Sequence, residues 1–180
     1  MVAAASRRYR AEGFSSVGIA NLMSDLGMTH GGFYAYFTDK EALVAAACSQ
    51  AFNAQSSDWR ETLASARTED ALHHLVNTYL STTHRDHPDS GCFAAALGGE
   101  MARRDYRSRQ AFSVGVDQLL AVLDQASAHT SKPVPEVILA LMVGAMALAR
   151  AVGDPRLSER FLTTARDALL TRSFNDAERA

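Results

Sequence analysis

Proline is scarce, four in 180 residues, and no Asn-Gly-type turn pair separates alternating apolar runs. A sandwich or barrel of short strands is therefore not expected. Cysteine is nearly absent. Cys48 and Cys92 are too few for a disulfide framework and fit a reducing cytoplasm. The longest uncharged apolar run, Val137 to Ala149, has 13 residues, short of the roughly 20 that cross a bilayer. No basic start leads into an apolar core with a cleavage site, so secretion is not expected. Charge of one sign is missing too: 18 Lys and Arg face 20 Asp and Glu, net −2, which excludes a uniformly basic nucleic-acid coat.

Chemical motifs are equally thin. No glycine loop that would cradle phosphate is present, and no G-x-S-x-G surrounds a nucleophile. His73 and His74 are adjacent and point different ways around a helix, while His84 and His87 straddle a helix end. None sits with Cys or an acid at zinc spacing. Cys92 reads as a buried structural thiol, with redox sensing as the alternative. No catalytic residue, metal or cofactor is expected, and the protein is not expected to be an enzyme.

What is present is helix-forming composition: 47% hydrophobic, 21% charged and rich in Ala, Leu, Glu and Arg. The stretch Ile19 to Glu41 organises the rest. Ile19, Leu22, Met23 and Leu26 recur at helical spacing, and Gly27 stands where a left-handed turn ends a helix. Thr29 is placed to cap a second short helix bearing Phe33 and Phe37 one turn apart. This is a helix-turn-helix. Thr38 and Glu41 have capping-box spacing for the next helix.

The segment resembles the DNA-binding domain of the TetR/AcrR (tetracycline-repressor-type) transcriptional regulators. The resemblance rests on Gly13-Phe14, Ile19 to Leu22, Gly27-Met28-Thr29, Gly32-Phe33-Tyr34, Tyr36-Phe37, Lys40-Glu41 and Leu43. His30-Gly31-Gly32-Phe33-Tyr34 is the version common in one branch of that family. It covers about the first quarter of the chain; the remainder agrees in length and helical pattern. It implies an all-α fold of about nine helices. An N-terminal three-helix DNA-binding module over 1–45 would be joined to a larger ligand-binding and dimerisation domain over 46–180. Where most relatives have Thr or Ser capping the second helix, this chain has Val17 and Gly18, leaving Ser15 or Ser16 to supply the hydroxyl.

A reading helix needs short or hydrogen-bonding side chains on its outer face to enter a groove about 12 Å wide. Thr29, His30, Gly31, Tyr34, Ala35 and Tyr36 satisfy this, with Phe33 and Phe37 turned inward. Thr29, Tyr34, Tyr36 and Lys40 can donate to phosphate, and the resemblance implies that the Tyr and Lys do so. His30 and Tyr36 are the expected base readers. Residues 1–40 hold four basic against three acidic groups, so the motif and not the charge carries the DNA inference.

Downstream, apolar spacing predicts a helix from about Asp39 to Ala64. Others follow from Thr68 past Thr83, from Cys92 to Met101 across Gly98-Gly99, from Tyr106 to Ala128, and from Pro135 to Val152. Asp86 to Gly91 reads as a loop and 131–135 as a connection. Asp154 and Pro155 open the last helix, and 175–180 read as a frayed tail. The paired glycines at 98 and 99 imply close packing or a kink. The Pro135 helix is apolar on all sides and needs cover. A homodimer surface on the last two helices is expected at Leu141, Gly144, Ala145, Leu148, Phe161, Ala165 and Leu169. The resemblance implies a small-molecule effector pocket, with Trp59, Tyr79, Phe93, Met101, Phe112 and Met146 as candidate lining. The expected partners are an operator duplex, a second copy and an effector, without a membrane. The alternative is a helical small-molecule-binding protein whose DNA module is vestigial.

Overall fold

Ten helices and no strand occur among the residues described by the computed structural model: 1–66, 68–128 and 134–171. In chain order they are α1 (Val2–Glu12), α2 (Ile19–Asp25), α3 (His30–Phe33), α4 (Lys40–Ser65) and α5 (Thr68–Tyr79). Then come α6 (Thr82–Asp86), α7 (Phe93–Met101), α8 (Tyr106–Ser127), α9 (Pro135–Ala151) and α10 (Pro155–Leu170). The all-helical class anticipated from composition is the observed one. No described helix is long and apolar enough to cross a membrane.

The stops lie where local chemistry puts them. Gly13 and Gly27 take φ of 81° and 66°, a region open to glycine and costly for other residues. Pro135 and Pro155 stand at helix starts, and the Asp154 carboxylate accepts from the Arg156 N–H at 2.9 Å.

Two expectations fail. The helix expected to run past Thr83 ends at Tyr79, and Asp86 closes α6 instead of opening a loop. The Ser81 hydroxyl accepts from the His84 N–H at 3.1 Å, and His84 Nδ1 lies 2.6 Å from the Tyr79 carbonyl oxygen. Side chains thus take the backbone groups that a continuous helix would use. Of the two readings of Gly98 and Gly99, close packing is the one not found. A methyl at 98 would stand 3.8 Å from Phe112, an ordinary contact, and one at 99 would meet nothing. The close approach is at Gly115, where a methyl would lie 2.2 Å from the Phe52 ring. Residues 131–133 of the expected connection and the tail at 175–180 lie outside the described residues.

The chain divides into two compact units, Met1–Ala54 with Pro88–Asp117, and Gln55–His87 with Gln118–Ala180. In the first, rings follow one another through the core. Tyr9 to Phe14 is 5.2 Å, Phe14 to Phe93 6.1 Å, Phe93 to Phe52 5.8 Å and Phe52 to Phe112 5.3 Å between centroids. In the second, Leu72, Leu75, Val76 and Tyr79 of α5 are buried, as are Ile138, Met142 and Met146 of α9 and Leu162 of α10. Each such large apolar side chain contributes about 1.5–3 kcal/mol. Arg150 donates to the His84 and Arg85 carbonyls at 2.6 and 3.1 Å, satisfying the last carbonyls of α6.

Candidate nucleic-acid interface

A short helix, a four-residue connection over 26–29 that contains Gly27, and a Thr29-capped helix build the site. α2 has no side-chain cap. Gly18 takes the capping position in extended backbone, Val17 is buried, and Ser15 and Ser16 are exposed without capping it. After Gly27, the Thr29 hydroxyl accepts from the Gly32 N–H at 3.1 Å, the cap expected from sequence. α3 spans only His30 to Phe33, shorter than the reading helix anticipated. Two glycines in four residues give little helix propensity, at about 1 kcal/mol each relative to Ala. The backbone continues as a turn, with the Tyr36 and Phe37 N–H groups both donating to the Phe33 carbonyl at 3.0 Å.

That turn sorts the side chains. Phe33 is fully buried, and Phe37 stacks on it at 5.7 Å. Tyr34 and Tyr36 are 57% and 67% exposed, although large aromatics ordinarily seek burial. Thr29, His30, Gly31 and Ala35 are exposed as well. His30 sits edge-on to Tyr34, 5.6 Å between centroids. Six of the seven residues expected to read DNA thus lie exposed in one short segment. The seventh differs: Lys40 is partly buried, and its Nζ donates to the Phe14 carbonyl at 2.7 Å. Desolvation, with the neighbouring Arg104 charge, moves the Lys40 ammonium below the ordinary lysine range, while Glu41 opposes this. An ammonium has three donors, so two remain.

The capping box expected from Thr38 and Glu41 does not form. Asp39 caps α4, its Oδ1 accepting from the Ala42 N–H at 2.7 Å. That bond, aided by the Thr38 hydroxyl and Arg107, holds the Asp39 carboxyl below the usual carboxylate range against the opposing effect of desolvation. Glu41 turns instead to Arg104, 2.5 Å from Nη2 to Oε1, and accepts from the Ser108 hydroxyl at 3.1 Å. The Arg104 guanidinium also stands 4.8 Å from the centre of the Phe14 ring. Glu100 accepts from the Phe14 N–H at 3.2 Å, and Arg10 donates to the Gly91 carbonyl at 2.6 Å. The helix-turn-helix is thereby tied to α7 and to the start of α8 inside one unit. None of Asp39, Glu100, Arg104 or Arg107 was singled out for a role from sequence. The only visible signal was the arginine density of 103–109, reading RRDYRSR.

The other candidates are divided between the two units. Trp59 and Tyr79 meet edge-on at 6.1 Å in the second unit, where Met146 is also buried. Phe93, Met101 and Phe112 lie in the first unit, with Phe93 and Phe112 both against Phe52. Of the surface expected to pair two copies, Ala145, Ala165 and Leu169 are buried within the chain itself. Leu148 is exposed, and Leu141, Gly144 and Phe161 are half-buried. Cys48 and Cys92 are both buried, and burial pushes the Cys48 thiol up to about 12. Among the described residues no cluster of three or more His, Cys, Asp or Glu could hold a metal.

Residues 1–47 match the family described as bacterial regulatory proteins, tetR family. No protein of curated function matches the sequence. Among solved structures, E. coli NemR in its reduced form is similar, with a TM-score of 0.79 and 23% identity over 96% of both chains. The regulatory protein TetR from Rhodobacter sphaeroides gives 0.68 and 17% over 94% of this chain and 96% of that one. SCO4454, a TetR-family transcriptional regulator from Streptomyces coelicolor, gives 0.66 and 20% over 93% and 90%. At these identities the likeness is one of fold.

Proposed function

We infer that this chain, a tetR-family domain over residues 1–47 in a TetR-like all-helical fold, is a dimeric transcriptional repressor released from a palindromic operator by a small molecule. The observation that carries DNA binding is the pair Tyr34 and Tyr36. Both rings stand in water beside a fully buried Phe33, so the fold does not need them there. Their hydroxyls, with Thr29 and Lys40, reach phosphate, while His30 and Tyr36 read base edges and Gly31 and Ala35 leave the backbone room to approach.

One four-residue helix contacts few base pairs, and a two-fold dimer doubles the reading. The support for a dimer is an uncovered stripe on α9. Val137 and Leu148 are 42% and 48% exposed, Leu141 and Gly144 lie between them at helical spacing, and a methyl at Gly144 would meet nothing. Phe161 of α10 is the matching half-buried aromatic. By role, 1–45 reads DNA and 46–180 binds effector and partner. The effector is apolar or amphipathic, a chemistry suited to the edge-on pair Trp59 and Tyr79 within the second unit.

A second reading, a ligand-binding protein with a vestigial DNA module, draws on the uncapped α2 and on Lys40 being bonded inward. Titrating the purified protein against duplexes from the DNA flanking its own gene separates the two. Saturable binding to one palindrome, lost in Tyr34→Ala, supports the regulator. Weak binding that ignores sequence and the substitution favours the second reading.

A further inference from the structure

The reading head is short of cations beside its turn. Arg8 is paired with Glu12 and Asp25 at 2.7 and 2.5 Å, Arg10 is turned to the Gly91 carbonyl, Lys40 gives one of its three donors to the Phe14 carbonyl, and the exposed Arg7 stands on α1. Asp39, between Tyr36 and Lys40, adds a carboxylate where phosphate is expected. Duplex DNA carries one negative charge per about 1.7 Å of its length, so a reader needs cations along this edge.

The cations are supplied 64 to 70 residues downstream of Asp39, across the α7–α8 connection and the first turn of α8, where 103–109 holds four arginines against one aspartate. Arg104 points inward to Glu41 and the Phe14 ring. Arg107 points the other way: its Nη2 lies 3.2 Å from Asp39 Oδ2 and its Nε 3.7 Å from Asp105 Oδ2. Its side chain is still 49% exposed. A guanidinium has five N–H donors, and one hydrogen bond to Asp39 with a longer contact to Asp105 leaves several for other acceptors. This places a solvated cation against the residue that separates two expected phosphate contacts.

Resting on the regulator reading above, we propose that Arg107 belongs to the DNA interface: it neutralises Asp39 and donates to a backbone phosphate beside the start of α4. The footprint then extends beyond the helix-turn-helix to the first turn of α8. Phosphate contacts position a protein without reading sequence, so Arg107 acts on operator and random duplex alike. Arg109, two residues on along α8 and therefore about 200° around it, lies on another face and takes no part.

The test is the salt dependence of binding, as log Kobs against log salt, for wild type, Arg107→Gln and Arg109→Gln on the palindrome and on a scrambled duplex. Both side chains are at the surface, and both variants remove one charge. The expected result is a slope shallower by about 0.9 in Arg107→Gln, with weaker binding to both duplexes, and a wild-type slope in Arg109→Gln. An unchanged slope in Arg107→Gln, or an equal change in Arg109→Gln, overturns the proposal while leaving operator binding intact. Failure of wild type to bind the palindrome above the scrambled duplex overturns the regulator reading and this proposal together.

Discussion

Gly115 of α8 faces Phe52 of α4 with no room for a side chain: a methyl on Gly115 would stand 2.2 Å from two ring carbons and 2.7 Å from Phe52 Cβ. The last distance matters most, because rotating the ring does not move Cβ. Gly115→Ala is therefore expected to destabilise by about 1–3 kcal/mol through overpacking. Urea unfolding measures it. Adding Phe52→Ala removes the two ring-carbon clashes and leaves only that with Cβ, so the double variant should lose less than the sum of the two single ones.

Arg104 links three groups: the Glu41 carboxylate, the Phe14 ring and, through Glu41, the Ser108 hydroxyl. Its side chain is 20% exposed and that of Glu41 30%. Arg104→Ala leaves a partly buried carboxylate with one weak donor and removes a cation–π contact. A loss of about 1–2 kcal/mol is expected by chemical denaturation. Arg104→Lys should recover only part, because an ammonium does not reproduce the planar fork.

Gly31 separates stability from function. A methyl there would meet nothing within 4 Å, and its φ is not positive. Gly31→Ala should stabilise α3 by about 0.5–1 kcal/mol. If the backbone at 31 approaches DNA, the same variant weakens operator binding. Thr29→Ala, which removes the cap, should instead lower stability by about 1 kcal/mol.

Cys48 sets a pH window. Burial raises its thiol from 9.0 to about 12, so between those values the unfolded chain binds fewer protons than the folded one. Its contribution to stability is intact below pH 9.0 and declines as pH rises toward about 12. The stability difference between wild type and Cys48→Ala should shrink from about pH 8 to about pH 10.5 in paired urea titrations. In the native protein at about pH 8, Cys48 should resist alkylation that goes to completion in denaturant.

The parts of this fold that could be read from the chain are those determined by neighbours. The Thr29 cap, the positive φ of Gly13 and Gly27, and the Asp154-Pro155 start each involve residues within a turn of one another. The inward Phe33 and outward Tyr34 and Tyr36 follow from the same local spacing. What escaped is long-range or competitive. Glu41 has capping-box spacing, yet Arg104, 63 residues away, takes its carboxylate, and Asp39 caps in its stead. Glu100 holds Phe14 across 86 residues, and Arg107 meets Asp39 across 68. The tightest of the described glycines was not one of the conspicuous pair at 98 and 99 but Gly115, because the opposing Phe52 crowds it. Helix α9 looked apolar on every side, whereas burial distinguishes its inner face, Ile138, Met142 and Met146, from Val137 and Leu148.

The most direct test of the central claim is the specificity ratio. Labelled palindrome from the flanking DNA would be competed with unlabelled palindrome and with scrambled duplex at fixed physiological salt, and the stoichiometry of the complex recorded. The account predicts two chains per palindrome and a preference of about 10³ or more over scrambled DNA. Equal competition by the two duplexes would contradict it.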